Sequence, residues 1–199
     1  YDSAFAIKTD GTMWGWGRGD DGGLGINLGA GSQSYSSPVQ IPGTTWAAVQ
    51  PIYVDGAIAL KTNGTLWAWG LNNYGQAAQN NHGVKISSPT QIPGTNWALI
   101  TGIDRGAAAT KTDGTLWMWG YNYIGALGQN DIAKRSSPVQ VPGTTWPTSG
   151  ISKLRGHNSS FSAIKTDGTL WSWGENEKGQ LGLNSRVSYS SPVQMGSLS

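Results

Sequence analysis

Short apolar runs broken by glycine recur along this chain, and one run returns four times. Ala6-Ile7-Lys8-Thr9-Asp10-Gly11-Thr12-Met13-Trp14-Gly15-Trp16-Gly17 comes back as Ala59-Leu60-Lys61-Thr62-Asn63-Gly64-Thr65-Leu66-Trp67-Ala68-Trp69-Gly70, then over 109–120 and 163–174. Asp-Gly or Asn-Gly between two apolar runs is a strong hairpin signal. Type I′ turns are therefore expected at 10–11, 63–64, 113–114 and 167–168, with positive φ at both central residues. After each turn two Trp stand two apart (14/16, 67/69, 117/119, 171/173), which places both rings on one face of a strand. Gly15, Ala68, Met118 or Ser172 lies between them, as on a less demanding face. The glycine closing each strand permits a bend or a close backbone approach.

The repeated lysines at 8, 61, 111 and 165 set steps of 53, 50 and 54 residues. A second block, Ser-Ser-Pro followed by Val or Thr and Gln, occupies 36–40, 87–91, 136–140 and 190–194, and opens a further strand in each unit. A third, Pro-Gly-Thr-Thr/Asn-Trp at 42–46, 93–97 and 142–146, ends that strand as a turn. Eight of the 11 Trp fall in the first block and three in the third, so every Trp belongs to the repeat. No helical periodicity of any length is visible. An all-β period near 50 residues means a propeller blade or a solenoid rung. The expectation is one all-β domain over 1–199, with repeats at about 1–50, 51–100, 101–150 and 151–199. Blades bury one sheet against the next, so a flat ring at every inward position makes sense. Each fully buried ring contributes ~1.5–3 kcal/mol from area alone.

Composition narrows the function more than the fold. Gly accounts for 30 of 199 residues and Pro for 9, still too few for a disordered chain, and the tryptophans argue for packing. Only 12% of residues are charged and the net charge is +2, so nothing marks a phosphate backbone or an anionic membrane as partner. No apolar run approaches a membrane span. The absence of Cys removes disulfides, thiolate metal sites and Cys nucleophiles. A start at Tyr1 with no basic-then-apolar leader leads us to expect a processed chain or a fragment.

The repeat resembles that of the regulator of chromosome condensation family: an apolar strand, Lys-x-Asp-Gly, an apolar-aromatic-x-Trp-Gly strand, and Asn-x-x-Gly-Gln-Leu-Gly. The last element is complete at Asn176-Glu177-Lys178-Gly179-Gln180-Leu181-Gly182. It is partial at Asn73-Tyr74-Gly75-Gln76-Ala77 and Asn122-Tyr123-Ile124-Gly125-Ala126-Leu127-Gly128, and most altered over Asp20 to Gly25. WD repeats would show Trp-Asp and Kelch repeats a Gly doublet in each unit; here only Gly22-Gly23 occurs. The version it is most similar to is the Trp-rich one of bacterial, environmental and phage-encoded proteins. The resemblance implies a β-propeller, usually of seven blades with four-stranded sheets. About four blades are expected here, as part of a larger ring or with copies covering one another's faces. One departure is the family's Gly-x-x-His before the lysine strand, hinted at only by Gly156-His157.

Motifs that could carry chemistry have plainer readings beside them. Gly17-Arg18-Gly19-Asp20-Asp21-Gly22 matches G-x-G-x-x-G, but no helix start follows to bind a pyrophosphate. Its Arg18-Gly19-Asp20 also reads as an adhesion tripeptide. His82 and His157 are the only histidines and lack metal-ligand spacing. His157 is expected to hydrogen-bond within its blade. The pair Glu175/Glu177 lies in a variable loop, and Asp20-Asp21 lacks a calcium-loop pattern. Lys8, Lys61, Lys111 and Lys165 would form an arc of charge, cancelled in part by the turn aspartates. No catalytic, cofactor or metal residue is expected.

The units diverge most between Trp-Gly and Ser-Ser-Pro, over 18–35, 71–86, 121–135 and 175–189. Candidate binding-loop residues are Asp20, Asp21, Tyr35, Tyr74, His82, Lys85, Tyr121, Tyr123, Lys134, Arg135, Glu175, Glu177, Lys178, Arg186 and Tyr189. A repeated framework with diversified loops is the logic of a binding surface, and of neutral drift as well. The reading is a non-enzymatic binding or structural propeller in an extracellular or virion-associated setting, such as a phage structural or receptor-binding protein. Its partners would be protein (the rest of a longer chain, homo-oligomer copies or a structural partner) or a surface glycan, with nucleic acid not expected. The alternatives, by resemblance, are an intracellular regulator acting in small-GTPase exchange or chromatin binding, a secreted enzyme inhibitor, and light sensing through clustered Trp.

Overall fold

The computed structural model describes residues 2–27, 33–53 and 56–196, and folds them as a β-propeller arc of four antiparallel sheets. Sheet one has three strands, β1 (Ser3–Ile7), β2 (Met13–Arg18) and β3 (Ser34–Ile41). Sheet two has four: β4 (Trp46–Ile52), β5 (Gly56–Lys61), β6 (Leu66–Gly70) and β7 (Ile86–Ile92). Sheet three repeats this as β8 (Trp97–Ile103), β9 (Gly106–Lys111), β10 (Leu116–Gly120) and β11 (Arg135–Val141). Sheet four does so as β12 (Leu154–His157), β13 (Ser160–Ile164), β14 (Leu170–Gly174) and β15 (Tyr189–Gln194). Each sheet is a simple meander, and the first strands β4, β8 and β12 meet one another along the inner edge.

The Asp-Gly hairpins form where expected but not as type I′ turns. Gly11 N–H donates to the Lys8 carbonyl (2.9 Å), Lys8 N–H to the Thr12 carbonyl (2.9 Å), and only Gly11 of the loop has positive φ. This is a three-residue loop, a type I turn closed by a left-handed glycine. The preference follows from the side chains. Asp10 Oδ1 accepts from both the N–H (2.9 Å) and the hydroxyl (2.6 Å) of Thr12, and that turn of backbone holds Asp10 away from positive φ. Asn63, Asp113 and Asp167 repeat it with Thr65, Thr115 and Thr169.

The core lies between sheets, and here the paired tryptophans act. Trp69, Trp119 and Trp173 are fully buried, each facing the preceding sheet. Each indole N–H donates to a carbonyl of that preceding unit: Trp69 to Gly23 (3.0 Å), Trp119 to Gln76 (2.9 Å) and Trp173 to Ala126 (3.0 Å). The residue between each Trp pair is no less demanding a position, contrary to expectation. Ala68 and Met118 are fully buried and Ser172 is 2% exposed, because the next sheet's rings fill the space against them or the loop folds over them. Inner strands of a propeller are buried on both faces, so small and large residues must alternate between sheets.

Candidate functional site

The chain's turns sort to two ends of the arc. At one end stand the Asp-Gly hairpins and the Pro-Gly-Thr-x-Trp linkers, tied together by Trp46 N–H to the Gly11 carbonyl (3.0 Å) and its equivalents at Trp97 and Trp146. There every repeated lysine is held over indole faces. Lys61 Nζ lies 4.7 Å and 4.4 Å from the Trp46 and Trp67 ring centres, Lys111 Nζ 4.9 Å and 4.5 Å from those of Trp97 and Trp117, and Lys165 Nζ 4.5 Å and 4.1 Å from those of Trp146 and Trp171. Lys8 covers Trp14 at 4.2 Å. Each ammonium is thus engaged in cation–π contact, and the lysine arc is framework.

The same end carries a relay in which an indole N–H donates to a threonine hydroxyl that donates to a carboxylate. It runs Trp14–Thr12–Asp10, Trp117–Thr115–Asp113 and Trp171–Thr169–Asp167, with indole-to-hydroxyl distances of 3.1, 2.9 and 2.8 Å. The threonine hydroxyl and then its amide hold each of these three carboxyls below the ordinary carboxylate value of 3.8. A depressed folded pKa contributes stability that is present above the ordinary value and lost as pH falls through the folded one. The protein should therefore lose stability on acidification below about pH 4, and the triple variant Asp10→Asn, Asp113→Asn, Asp167→Asn should lose less. Thermal melts across that range check this; parallel acid slopes for the two proteins would refute the relay's role.

At the other end lie the β8–β9 and β12–β13 turns and the described residues of the divergent loops. A buried asparagine organises three of these loops. The side-chain oxygens of Asn72, Asn122 and Asn176 accept from Ala77 N–H (2.9 Å), Leu127 N–H (2.9 Å) and Leu181 N–H (3.0 Å). In sheet two this role falls to Asn72, not to Asn73, which is exposed. Gly19 stands at that position in sheet one, where Gly19 N–H to the Gln33 carbonyl (2.9 Å) and the Lys85–Asp21 ion pair hold the loop instead. The Arg18-Gly19-Asp20 tripeptide closes on itself through Arg18 Nε–Asp20 Oδ2 (2.9 Å), and a single 3-10 turn, Asp20–Gly22, follows it.

Three of the candidate tyrosines converge. Tyr74 from the sheet-two loop meets Tyr121 from sheet three with ring centres 4.6 Å apart, and Tyr123 stacks on Tyr121 at 5.1 Å and 29°. Arg105, in the β8–β9 turn, lies 5.2 Å from the Tyr74 ring centre and 5.5 Å from that of Tyr121. Its Nε is 3.6 Å from the Asp104 carboxylate, and its carbonyl accepts from Tyr121 N–H (2.9 Å). Tyr123 is 58% exposed. The three tyrosine hydroxyls make no hydrogen bond among the described residues. The result is a rigid, outward-facing ladder of three rings and a guanidinium bridging two sheets. Tyr and Arg carry much of the binding energy where proteins meet.

The remaining candidates stay apart. Tyr35 and Tyr189 open the outer strands opposite Gly17 and Gly174, and the Tyr35 hydroxyl donates to Gln33. His82 is exposed, and Lys134 is exposed beside Arg135, which pairs with Asp131. Glu177, Lys178 and Arg186 are exposed on the sheet-four loop, and Glu175 is half-buried there. The His157 ring is exposed, and the bond within its hairpin is accepted by its carbonyl from Ser160 (3.1 Å), not made by the imidazole.

The family model "Regulator of chromosome condensation (RCC1) repeat" matches residues 113–149 and 167–199, and a second model of the same description matches 55–76. Human WBSCR16 superposes with a TM-score of 0.83 at 23% identity, covering 98% of this chain and 50% of that one. Prp20p from Saccharomyces cerevisiae gives 0.79 at 17% identity, covering 99% and 49%. A structure of Kap60 bound to yeast RCC1 (Prp20) gives 0.78 at 16% identity, covering 99% and 47%. The chain spans about half the length of each of these three chains.

Proposed function

We propose that this chain, which belongs to the regulator of chromosome condensation (RCC1) repeat family of β-propellers, is a non-enzymatic module that binds a protein through the tyrosine–arginine ladder of its loop end. The observation that carries the reading is the Tyr74–Tyr121–Tyr123 stack with Arg105 against it. Its rings are already ordered by Asn72, Asn122 and the β8–β9 turn, so little freedom is lost on docking. An extracellular or virion-surface setting, with a structural or receptor protein as partner, is part of the proposal. The low charge and the Cys-free composition are compatible with it.

A second reading, an intracellular regulator, is favoured by what its structural neighbours bind. Yeast RCC1 (Prp20) is bound by Kap60, and Prp20p has binding properties towards Gsp1p and histones. A histone-like or nucleic-acid partner would bring steep salt dependence, whereas stacked rings would bind with little change between low and physiological salt.

Photo-crosslinking tests the site. A benzophenone amino acid replacing Tyr123 should capture a protein partner, and one replacing Thr44, exposed at the opposite end, should not. Arg105→Ala and Tyr121→Ala should each weaken binding of the captured partner by about 2 kcal/mol, near 30-fold. Equal capture from both positions, or affinity unmoved by either substitution, would remove the ladder from the interface.

A further inference from the structure

Between sheets two and three lies a cavity of about 480 Å³ that shares no residue with the tyrosine ladder. It crosses all four strands of sheet three, at Trp97 on β8, Lys111 on β9, Trp117 on β10 and Pro138 on β11. Loop residues 78–80 of sheet two and the linker residue Pro93 line its other side. Both walls are interior sheets of the arc, each flanked by a neighbour on either side.

Its lining mixes apolar rings with polar groups that lack a partner. Pro93 and Pro138 present pyrrolidine rings beside the half-buried Trp117 indole. The Trp97 indole N–H is buried with no acceptor, a state that native interiors rarely leave unanswered. The Lys111 ammonium makes cation–π contacts but no ion pair among the described residues. Both donors face one space beside Gly94, where a Cβ would stand 3.6 Å from Trp97 Nε1 and 3.8 Å from Lys111 Nζ. Gln79 donates its amide to the Ala77 and Gln91 carbonyls (both 3.2 Å), and its side-chain oxygen is unbonded among the described residues. Asn80 Oδ1 accepts from the Ser137 hydroxyl (3.1 Å), and the Asn80 amide nitrogen is likewise unbonded.

We propose that this cavity binds an acidic sugar, a hexuronate unit whose carboxylate points towards Lys111 and Trp97. A carboxylate answers two donors that have no acceptor, and it pairs with the ammonium through charge-assisted bonds. The Lys111 stem is flexible enough to carry its ammonium off the Trp97 ring to meet it. A pyranose ring offers an apolar C–H face to the indole and pyrrolidine rings. Its hydroxyls both donate and accept, which matches the free oxygen of Gln79 and the free amide of Asn80. A flat aromatic ligand would leave those two amides unmet, and a bare carboxylate would leave most of the volume empty. The cavity falls in the size range of small-molecule sites, which set a few polar groups in a largely apolar lining.

Titration of isotope-labelled protein with sodium glucuronate tests it, read on the tryptophan indole resonances at constant ionic strength. The Trp97 N–H should shift and saturate. The Trp46 N–H, also buried without an acceptor, should stay in place, because Ile26 stands there where Gln79 stands in sheet two. Glucose, which lacks the carboxylate, and acetate, which lacks the ring, should each bind about tenfold more weakly or worse. Lys111→Met keeps an apolar stem over both indoles without the charge. It should weaken glucuronate binding about tenfold while the remaining indole resonances hold their positions, which shows the fold intact. Lys61→Met, at the neighbouring junction, should leave the Trp97 titration unchanged. A Trp97 resonance that never moves, acetate or glucose binding as tightly as glucuronate, or full affinity in Lys111→Met overturns the proposal.

Discussion

Trp119→Ala is expected to lower the stability of the protein by about 3–5 kcal/mol, read as a reduced denaturant midpoint at unchanged slope. Three losses combine. The ring is fully buried between sheets two and three, where it packs with Trp97 at 6.4 Å and with the alanines and isoleucines of the facing sheet. Its removal leaves a cavity that sheet-on-sheet packing cannot collapse, because both backbones are fixed by their own ladders. It also strands the Gln76 carbonyl, whose indole donor disappears. Trp119→Phe restores most of the volume but not the bond, so it should fall between wild type and alanine. An alanine variant losing less than about 1 kcal/mol would show that the sheets are held together elsewhere.

The second large effect is local. Asn122→Leu should destabilise the protein by roughly 2 kcal/mol or more, and the damage should concentrate in residues 121–135. Asn122 is 1% exposed and serves both directions at once. Its oxygen accepts from Leu127 N–H, and its amide donates to the Asp131 and Ala133 carbonyls. Leucine fills similar space but leaves a buried N–H with no acceptor. Hydrogen exchange at Leu127 should accelerate far more than at the β9 amides, and the stacking of Tyr121 with Tyr123 should loosen with it. Uniform acceleration across the chain would mean that the asparagine supports the whole fold, not its own loop. Since the tyrosine ladder stands on this loop, the variant should also weaken partner binding.

The two predictions draw on different layers of legibility. Trp119 was readable: a ring two residues from another, at a fixed place in every unit, announces a buried strand face. The mate of each ring was harder to see, because Gly23, Gln76 and Ala126 share no side chain, only a carbonyl at the same place in the loop. The organising asparagine was half readable. Asn122 and Asn176 fall two residues after Trp-Gly, and applying that spacing to Gly70 selects Asn72, which also keeps the Asn-x-x-Gly spacing to Gly75 that Asn73 lacks. The hairpins were visible but their turn type was not, since it depends on threonine bonding back to the aspartate.

Of the proposed site, the tyrosines lay in the divergent loops and stood out. Arg105 did not. It sits in a two-residue turn where the other units carry different residues, and it meets Tyr74 from a neighbouring sheet. A contact between units leaves no trace in the spacing within either. Comparing the turns at 53–56, 103–106 and 157–160 would have singled it out as the one cation between aromatic loops.

The contact between sheets also runs in one direction only: the loops of sheets one, two and three are each completed by the sheet that follows. Gly23 and Asn27 wait for Trp69 and Ser87, Gln76 and Asn80 for Trp119 and Ser136, Ala126 and Asn130 for Trp173 and Ser190. On a ribosome adding about 5–20 residues per second, each loop therefore emerges several seconds before the strand that will shelter it. The nascent chain would carry one unfinished loop at its growing end at all times, and order would advance by whole repeats.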